Sequence, residues 1–219
     1  MSMENGSQGP LSPGERAPEF SLPAIDREGT VSLADYTGRS PLMLALFRGL
    51  WCPFCRKAIA SLGRSAASLR ERGVESLAVV ATTPENARLY FRFRPTGVPL
   101  AADPGLMTHR LFRVPLDPPS PQAIETLATT PNNPTGELPE PLPLPQAGAL
   151  INRLEGFTPT AVDSEESHSQ FGLLKGQFLL DRGGVVRWVN IECAQEGLMG
   201  IGKFPTEQEL LAALRCLES

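Results

Sequence analysis

The chain lacks a long hydrophobic segment and an excess of positive charge, and each shortage excludes a class of function. Its longest uninterrupted apolar run is Leu42–Phe47, far below the ~20 residues of a membrane-spanning helix. Lysine plus arginine number 20 against 24 acidic residues, so the net charge is −4. Such a chain lacks the basic surface that non-specific nucleic-acid binding requires. We therefore expect no membrane span and no nucleic-acid partner.

A secretory signal is also missing, because no charged segment followed by an apolar stretch opens the chain. We therefore expect a cytoplasmic protein, in a compartment that keeps thiols reduced. Cysteine is scarce, and among the four cysteines only Cys52 and Cys55 are close in sequence. In a reducing compartment this Cys-x-x-Cys spacing indicates redox or metal chemistry rather than a structural disulfide.

The length of 219 residues and the hydrophobic content of 41% suit one domain with a sizeable core. Residues 1–15 are polar and rich in Gly, Pro and Ser, and we predict a flexible leader there. Residues 16–219 are predicted to form a single domain. A proline-rich insertion at about 113–172 interrupts it.

Apolar periodicity predicts an α/β fold. Residues 53–72 carry apolar side chains at every third or fourth position, which is typical of a helix with one buried face. The continuous apolar run 41–47 before it favours a strand buried on both faces. Helices and strands then alternate, and a hairpin and a last helix end the chain (strands 74–82, 99–102, 177–180 and 185–190; helices 84–93, 104–112 and 205–217). This order predicts three layers, with a mixed central sheet between helices on both faces.

Proline density separates the insertion from the rest of the domain. Ten of the 22 prolines lie within 115–145, a density that no long helix or central strand accommodates. We predict an irregular surface excursion over 113–147 that adds little to the core, with one helical turn near 122–126. Residues 147–157 are compatible with a short helix.

The segment 48–57 carries the chemistry, because it joins a buried strand to a helix N-terminus, where open α/β sheets place reactive groups. Cys52 is expected at the N-cap, facing unpaired backbone N–H groups and the positive end of the helix dipole. Arg56 and Lys57 are expected to add positive charge, and all of these effects favour a thiolate. Cys55 lies one turn further on, within reach of Cys52 and more buried. Pro53 stiffens the loop.

Two other interpretations of the cysteine pair remain open: two small apolar residues, or half of a zinc site. The other half of a zinc site would have to come from Cys193, Cys216, His109 or His168, none of which forms a second close pair. We expect both histidines to be surface or satisfied core side chains. Cys193 and Cys216 are expected to be buried, inert thiols, with a second resolving role as the alternative.

Four segments resemble the peroxiredoxin group of the thioredoxin-fold superfamily, in its alkyl hydroperoxide reductase and thiol-specific antioxidant (AhpC/TSA) branch. They are the opening 14–23, the stretch 29–36, the strand and turn 99–104, and the hairpin 178–186. The resemblance covers about 14–112 and 174–217. It implies a thioredoxin-like fold and antioxidant reduction of peroxides. It also implies thioredoxin, glutaredoxin or glutathione as reductant, and a homodimer.

The active-site motif departs from that family's Pro-x-x-x-Thr/Ser-x-x-Cys. If Cys55 takes the position of the reactive cysteine, Cys52 replaces the Thr and Arg48 replaces the Pro. A typical member also has an Arg at the start of the final hairpin, where this chain has Lys175 and Gln177 nearby. The site therefore combines a peroxiredoxin-like frame with a thioredoxin-like or glutaredoxin-like Cys-Pro-Phe-Cys.

From these residues we predict a thiol oxidoreductase in which Cys52 attacks and Cys55 resolves, with four supporting residues: Arg48, Trp51, Pro53 and Arg56. Thiol chemistry needs no metal or organic cofactor. Because the motif offers an open approach but lacks the family's Thr and Arg, we expect weak peroxide reduction and at least comparable disulfide exchange. The alternatives are a redox-sensing or partner-binding module without turnover and, less favoured, a metal-binding domain.

Overall fold

The computed structural model describes residues 9–136 and 138–218. A five-stranded sheet forms its centre, in the order β5-β4-β3-β6-β7. Strands β3, β4 and β5 run parallel to one another, and β6 lies antiparallel to both β3 and β7. A separate antiparallel pair is formed by β1 and β2. In the described residues the strands are β1 Ser21–Pro23, β2 Thr30–Ser32, β3 Leu42–Phe47, β4 Glu75–Val80, β5 Leu100–Ala102, β6 Gly176–Leu180 and β7 Val186–Ile191.

Alternate residues of the central strands point to opposite faces of the sheet. Both faces are apolar, and helices and loops cover both. On one face Met43, Ala45 and Phe47 join the buried residues of the long first helix in one apolar cluster. On the other face Leu42, Leu44 and Leu46 belong to a second cluster with Phe112 and Phe178. The helices are α1 Pro53–Arg70, α2 Pro84–Phe91, α3 Met107–Leu111, α4 Pro121–Thr129, α5 Leu144–Glu155, α6 Ala161–Ser169 and α7 Glu207–Ala213. The predicted α/β, thioredoxin-like fold with a mixed sheet is confirmed.

Local sequence signals place the element ends well. Gly73 follows α1 with a left-handed φ of 74°, which a residue without a Cβ adopts at no steric cost. The hydroxyl of Thr83 accepts a hydrogen bond from the Asn86 N–H at the start of α2. Thr206 and Glu209 form a reciprocal cap at the start of α7. These features depend on neighbours a few positions apart, and the sequence therefore predicts them.

The prediction of an irregular 113–147 with one helical turn near 122–126 is wrong at α4, which runs over Pro121–Thr129, and at the start of α5. The short helix compatible with 147–157 is present as α5, and α6 was not predicted. The prolines do not prevent these helices, because Pro121 and Pro145 stand in the first turns, where a backbone N–H has no partner within the helix. The insertion also adds to the core, contrary to the prediction. Leu138, Ala147 and Ile151 are buried in the apolar cluster around α1.

The predicted flexible leader is wrong for its second half. Leu11 is buried, and its N–H donates to the carbonyl of Phe112 at 3.2 Å. The Gly14 N–H donates to the carbonyl of Val186 in β7 at 2.8 Å. Residues 1–8 of that prediction lie outside the described residues. Within 9–136 and 138–218, no helix is both long and apolar enough to span a membrane.

Candidate active site

The Cys-x-x-Cys motif lies at the carboxyl end of β3. Cys52 has extended backbone angles (φ −83°, ψ 109°) at the N-cap of α1, and Pro53 takes the first helical position. Both thiols are free. Cys52 is 3% exposed and Cys55 is fully buried. The structure therefore places the pair as the sequence predicts, but it does not provide the open approach to Cys52 that we expected.

The two thiols differ sharply in acidity. Burial alone would raise the pKa of Cys52, but a hydrogen bond from the Cys55 thiol and the positive charges of Arg48 and Lys175 outweigh burial and lower it to about 5. The pKa of Cys55 lies well above its ordinary value, because the thiol is buried and donates to the Cys52 sulfur. At neutral pH the pair is therefore one thiolate and one thiol.

A buried cluster of charges lies beside the pair. Arg48 projects from the end of β3, and its Nη1 lies 2.9 Å from Glu192 Oε2 and donates to the Leu173 carbonyl at 2.7 Å. Lys175, just before β6, has its Nζ 3.0 Å from Glu192 Oε1, and neither side chain is exposed. Glu192 also accepts the N–H groups of Gly202 and Lys175. Because one carboxylate serves two cations, positive charge remains to stabilise the Cys52 thiolate.

Arg56 does not have the predicted role. Its guanidinium points away from the cluster and toward the insertion, where it donates to Asn152 Oδ1 at 2.6 Å and Glu155 Oε2 at 2.8 Å. It also donates to the Leu50 carbonyl at 2.5 Å and stacks 3.7 Å above the ring of Phe157. The positive charge at Cys52 comes instead from Arg48 and Lys175. Arg56 joins the active-site loop to α5.

Lys57 is also drawn toward the insertion. Its Nζ lies 3.7 Å from Glu155 Oε1, the carboxylate that pairs with Arg56. The expectation that Lys57 adds charge at Cys52 therefore gains no support from the geometry.

The insertion holds the other end of the loop through Gln170, just after α6. The Gln170 Oε1 accepts the Gly49 N–H at 2.8 Å and the Trp51 Nε1–H at 3.0 Å. Its Nε2 donates to the Ala81 carbonyl after β4 at 2.6 Å. One buried amide thus fixes the loop to the neighbouring strand. Trp51, one of the predicted supporting residues, is half-buried beside the motif.

A second buried carboxylate, Glu166 of α6, lies over the loop at Gly49. A Cβ at position 49 would lie 2.5 Å from Glu166 Oε2 and 2.8 Å from Trp51 Cδ1, so a larger residue there would displace one of these side chains. Glu166 is 9% exposed, and burial raises its pKa to about 7, although Thr82 and Thr83 donate to it. Unlike Glu192, this carboxylate has no cation beside it among the described residues.

The remaining candidates are His109, His168, Cys193 and Cys216. His168 is exposed. His109 is buried, its ring nitrogens find no hydrogen-bond partner in the described part of the chain, and burial lowers its pKa to about 4. Cys193 and Cys216 are half-buried rather than buried as predicted, and both line a cavity of about 340 Å³. Burial raises the pKa of Cys193 to about 11. Among residues 9–136 and 138–218, no group of three or more His, Cys, Asp or Glu side chains is arranged to hold a metal ion.

Sequence reasoning missed Glu192 and Gln170, and it noted Lys175 only as lying near a missing arginine. A lysine immediately before a largely apolar strand is the one signal that could have revealed Lys175, because a buried ammonium requires a charged partner. No sequence signal distinguishes Glu192 or Gln170 from other glutamates and glutamines. Their partners lie far away along the chain.

Comparison with known proteins places the chain among related folds. It resembles the peroxidoxin BcpB of Mycobacterium tuberculosis (14% identity, TM-score 0.56, 95% of this chain and 97% of that one). It also resembles the reduced 2-Cys peroxiredoxin of Plasmodium vivax (13% identity, TM-score 0.59, 94% of this chain and 95% of that one). At such identities the likeness shows the fold alone. No curated protein matches the chain.

The sequence pattern of one family matches most of the chain. This AhpC/TSA match spans residues 13–189 and includes both cysteines of the motif, the charged residues Arg48 and Lys175, and the insertion. It agrees with the fold and with a thiolate–thiol pair at the start of α1. The chain therefore belongs to the AhpC/TSA family, as a thiol oxidoreductase of peroxiredoxin-like or thioredoxin-like type.

Proposed function

We propose that the chain reduces peroxides, with Cys52 as the attacking thiolate and Cys55 as the resolving thiol. The observation that carries the proposal is the Cys52 sulfur itself. It is ionised at neutral pH, accepts a hydrogen bond from Cys55, and lies beside the buried cations Arg48 and Lys175. Two inert apolar cysteines would have no such surroundings.

Accessibility favours a small oxidant over a protein disulfide. Thiol–disulfide exchange requires the attacking sulfur to approach a disulfide in line, and Cys52 is only 3% exposed, so a folded partner reaches its sulfur only after the site opens. A hydroperoxide brings only two oxygens to the site. We therefore reverse the expectation from sequence and propose that peroxide reduction exceeds exchange with protein disulfides.

The reaction follows from the placement of the charges. The Cys52 sulfur attacks the terminal peroxide oxygen, an S–O bond forms, and the O–O bond breaks with its electron pair on the leaving oxygen. Fixed positive groups stabilise such developing charge most effectively where water is excluded. Arg48 and Lys175 are the groups available here, in place of the family's Thr and Arg.

Cys55 completes the cycle. Its sulfur attacks the Cys52 sulfenic acid, water leaves, and an intramolecular disulfide forms. An external thiol reductant of the thioredoxin, glutaredoxin or glutathione type then returns two electrons. Because both sulfurs are buried, this reductant requires the site to open. The cytoplasmic location and a homodimer stay predictions.

The test compares hydrogen peroxide, an alkyl hydroperoxide and a model protein disulfide as oxidants of the pre-reduced protein in single turnovers. We expect both peroxides to oxidise it faster than the disulfide does. Cys52→Ser should remove the reaction, and Cys55→Ser should stop it at a sulfenic acid that a specific probe traps. Cys216→Ser, outside the pair, is the matched control and should behave as the wild type.

Two results would refute the proposal. One is faster oxidation by the protein disulfide than by either peroxide. The other is full peroxide reactivity in Cys52→Ser that is lost in Cys55→Ser, which would assign the attack to Cys55.

A further inference from the structure

The buried charges around the cysteine pair balance only while Cys52 is a thiolate. Arg48 and Lys175 carry positive charge, and Glu192 and the Cys52 sulfur carry negative charge. These four residues are 6%, 0%, 4% and 3% exposed, in that order. When the disulfide forms, the thiolate charge disappears. One cation is then left without a counterion in the protein interior, where an unpaired charge is strongly unfavourable.

We propose that Lys175 is the proton donor of the cysteine pair, giving up one proton when the Cys52–Cys55 disulfide forms and regaining it on reduction. Loss of this proton leaves Arg48 and Glu192 as a neutral buried pair. The donor cannot be Arg48, because a guanidinium keeps its proton in proteins. Among the described residues, no acceptor meets Lys175 Nζ with hydrogen-bond geometry, although Glu192 Oε1 lies 3.0 Å away.

The titratable groups that face Lys175 or its neighbour Arg48 lie in or beside β7, α1 and α3, and none of them can take the place of Lys175. Glu192, at the end of β7, has a lowered pKa because Arg48 and Lys175 outweigh its burial, so it stays ionised. Cys193, the next residue, is a neutral thiol at neutral pH. From α1, Cys52 is already deprotonated and Cys55 loses its proton in forming the disulfide. From α3, His109 faces Arg48 and is neutral at that pH.

Atoms and charges balance in this scheme. Under the proposed function, on which this step rests, the attack by Cys52 releases an alkoxide or hydroxide, and Lys175 protonates it to an alcohol or water. The Cys55 proton leaves with the sulfenic oxygen as a second product, water. Two electrons pass from the cysteine pair to the peroxide, and the buried site ends without net charge, as it began.

The redox potential of the cysteine pair tests the inference without any peroxide. It is measured on the full-length protein between about pH 6 and about pH 8 in dithiothreitol redox buffers. If Lys175 gives up its proton, oxidation releases two protons. The midpoint potential, corrected for the potential of dithiothreitol at each pH, then falls by about 59 mV per pH unit. If Lys175 keeps its proton, only the Cys55 proton is released and the potential falls by about 30 mV per pH unit.

Two variants assign the second proton to Lys175. Lys175→Arg keeps the positive charge but cannot lose it, so Cys52 should stay acidic while the slope falls to about 30 mV per pH unit. Lys203→Arg, at an exposed lysine paired with Glu196, is the control and should keep about 59 mV. A merely structural role of Lys175 would leave the slope of Lys175→Arg unchanged.

A wild-type slope of about 30 mV per pH unit overturns the inference whatever the variants do, so it stays falsifiable if Lys175→Arg fails to fold. A slope of about 59 mV that persists in Lys175→Arg also overturns it. Failure of the proposed function is a separate result. A protein with the steep slope but no reaction with peroxides would contradict peroxide reduction and leave the role of Lys175 in place.

Discussion

The active-site loop is held from two sides by two arginines that look equivalent in the sequence. Arg48 stands four positions before Cys52 and Arg56 four positions after it, and both are buried and paired with a glutamate. On the sheet side, Arg48 shares Glu192 with a second cation, Lys175. On the insertion side, Arg56 shares Glu155 with the more distant Lys57, and it also meets an amide, a carbonyl and an aromatic ring.

The difference teaches that burial and pairing do not by themselves give an arginine a chemical role. The direction in which the guanidinium points decides it. Arg48 lies beside the Cys52 sulfur together with Lys175, so the sheet side sets the acidity of Cys52. All three nitrogens of the Arg56 guanidinium donate to the insertion or to the Leu50 carbonyl, so the insertion side sets where the loop lies.

The largest effect is expected from Arg48→Met. It removes a cation beside Cys52 and leaves Glu192 with one partner. Removing one partner of a buried ion pair lowers the free energy of unfolding by about 3–5 kcal/mol. We expect a higher Cys52 pKa, and a loss of about 10²–10³-fold in the single-turnover rate with peroxide, typical for the loss of one charge-stabilising donor. The pH dependence of Cys52 alkylation measures the pKa, and stopped-flow oxidation measures the rate with peroxide. An unchanged pKa would show that Arg48 does not set the acidity.

The next effect is expected from Arg56→Met, which removes hydrogen bonds from a charged group to the insertion. Each is worth about 1.5–3 kcal/mol, and we expect the free energy of unfolding to fall by about 3 kcal/mol, as urea titration of the reduced protein would show. The Cys52 pKa should stay near 5. A rise in that pKa as large as in Arg48→Met would abolish the distinction between the two sides. Lys57→Met, which disturbs a longer ion pair, is the control and should cost less than about 1 kcal/mol.

A smaller effect is expected from Gln170→Ala, which leaves the Gly49 N–H and the Trp51 indole without their shared acceptor. An unsatisfied buried donor costs about 1–3 kcal/mol. We expect a destabilisation of that size together with a change in tryptophan fluorescence, because Trp51 is released. Gln122→Ala, on the exposed side of α4, should change neither. Unaltered stability in Gln170→Ala would mean that the insertion holds the loop through Arg56 alone.

The smallest effect concerns Glu166, the carboxylate on the insertion side that lacks a cation. Its pKa is raised to about 7 from 4.5, so the native protein binds this proton more tightly than the unfolded chain does. Stability is therefore lost as pH rises from about 4.5 to about 7, and Glu166→Gln removes that loss. We expect the melting temperature of the variant relative to wild type to increase between pH 5 and pH 8. The exposed neighbour in Glu165→Gln should show no such trend, and a decreasing difference for Glu166→Gln would contradict the assignment.

The sequence by itself predicted the alternating elements up to residue 112, the closing hairpin and last helix, and the placement of Cys52 and Cys55 at the start of α1. Each of these depends on a periodicity or a capping pattern within a few residues. Within the insertion the same kind of reasoning failed. Proline was taken to exclude helices, whereas Pro121 and Pro145 stand in first turns, where proline is tolerated.

Tertiary structure alone decided the chemistry around the thiol pair. Arg48 donates hydrogen bonds to the Leu173 carbonyl and to Glu192, which are 125 and 144 residues away in the sequence. Gln170 accepts the N–H of Gly49, which is 121 residues away. No local pattern encodes such partners, because β6, β7 and the end of α6 come to the loop only when the sheet assembles. Arg48 and Arg56 were indistinguishable along the chain for the same reason. The position of Cys52 is thus a property of the sequence, and its charge is a property of the fold.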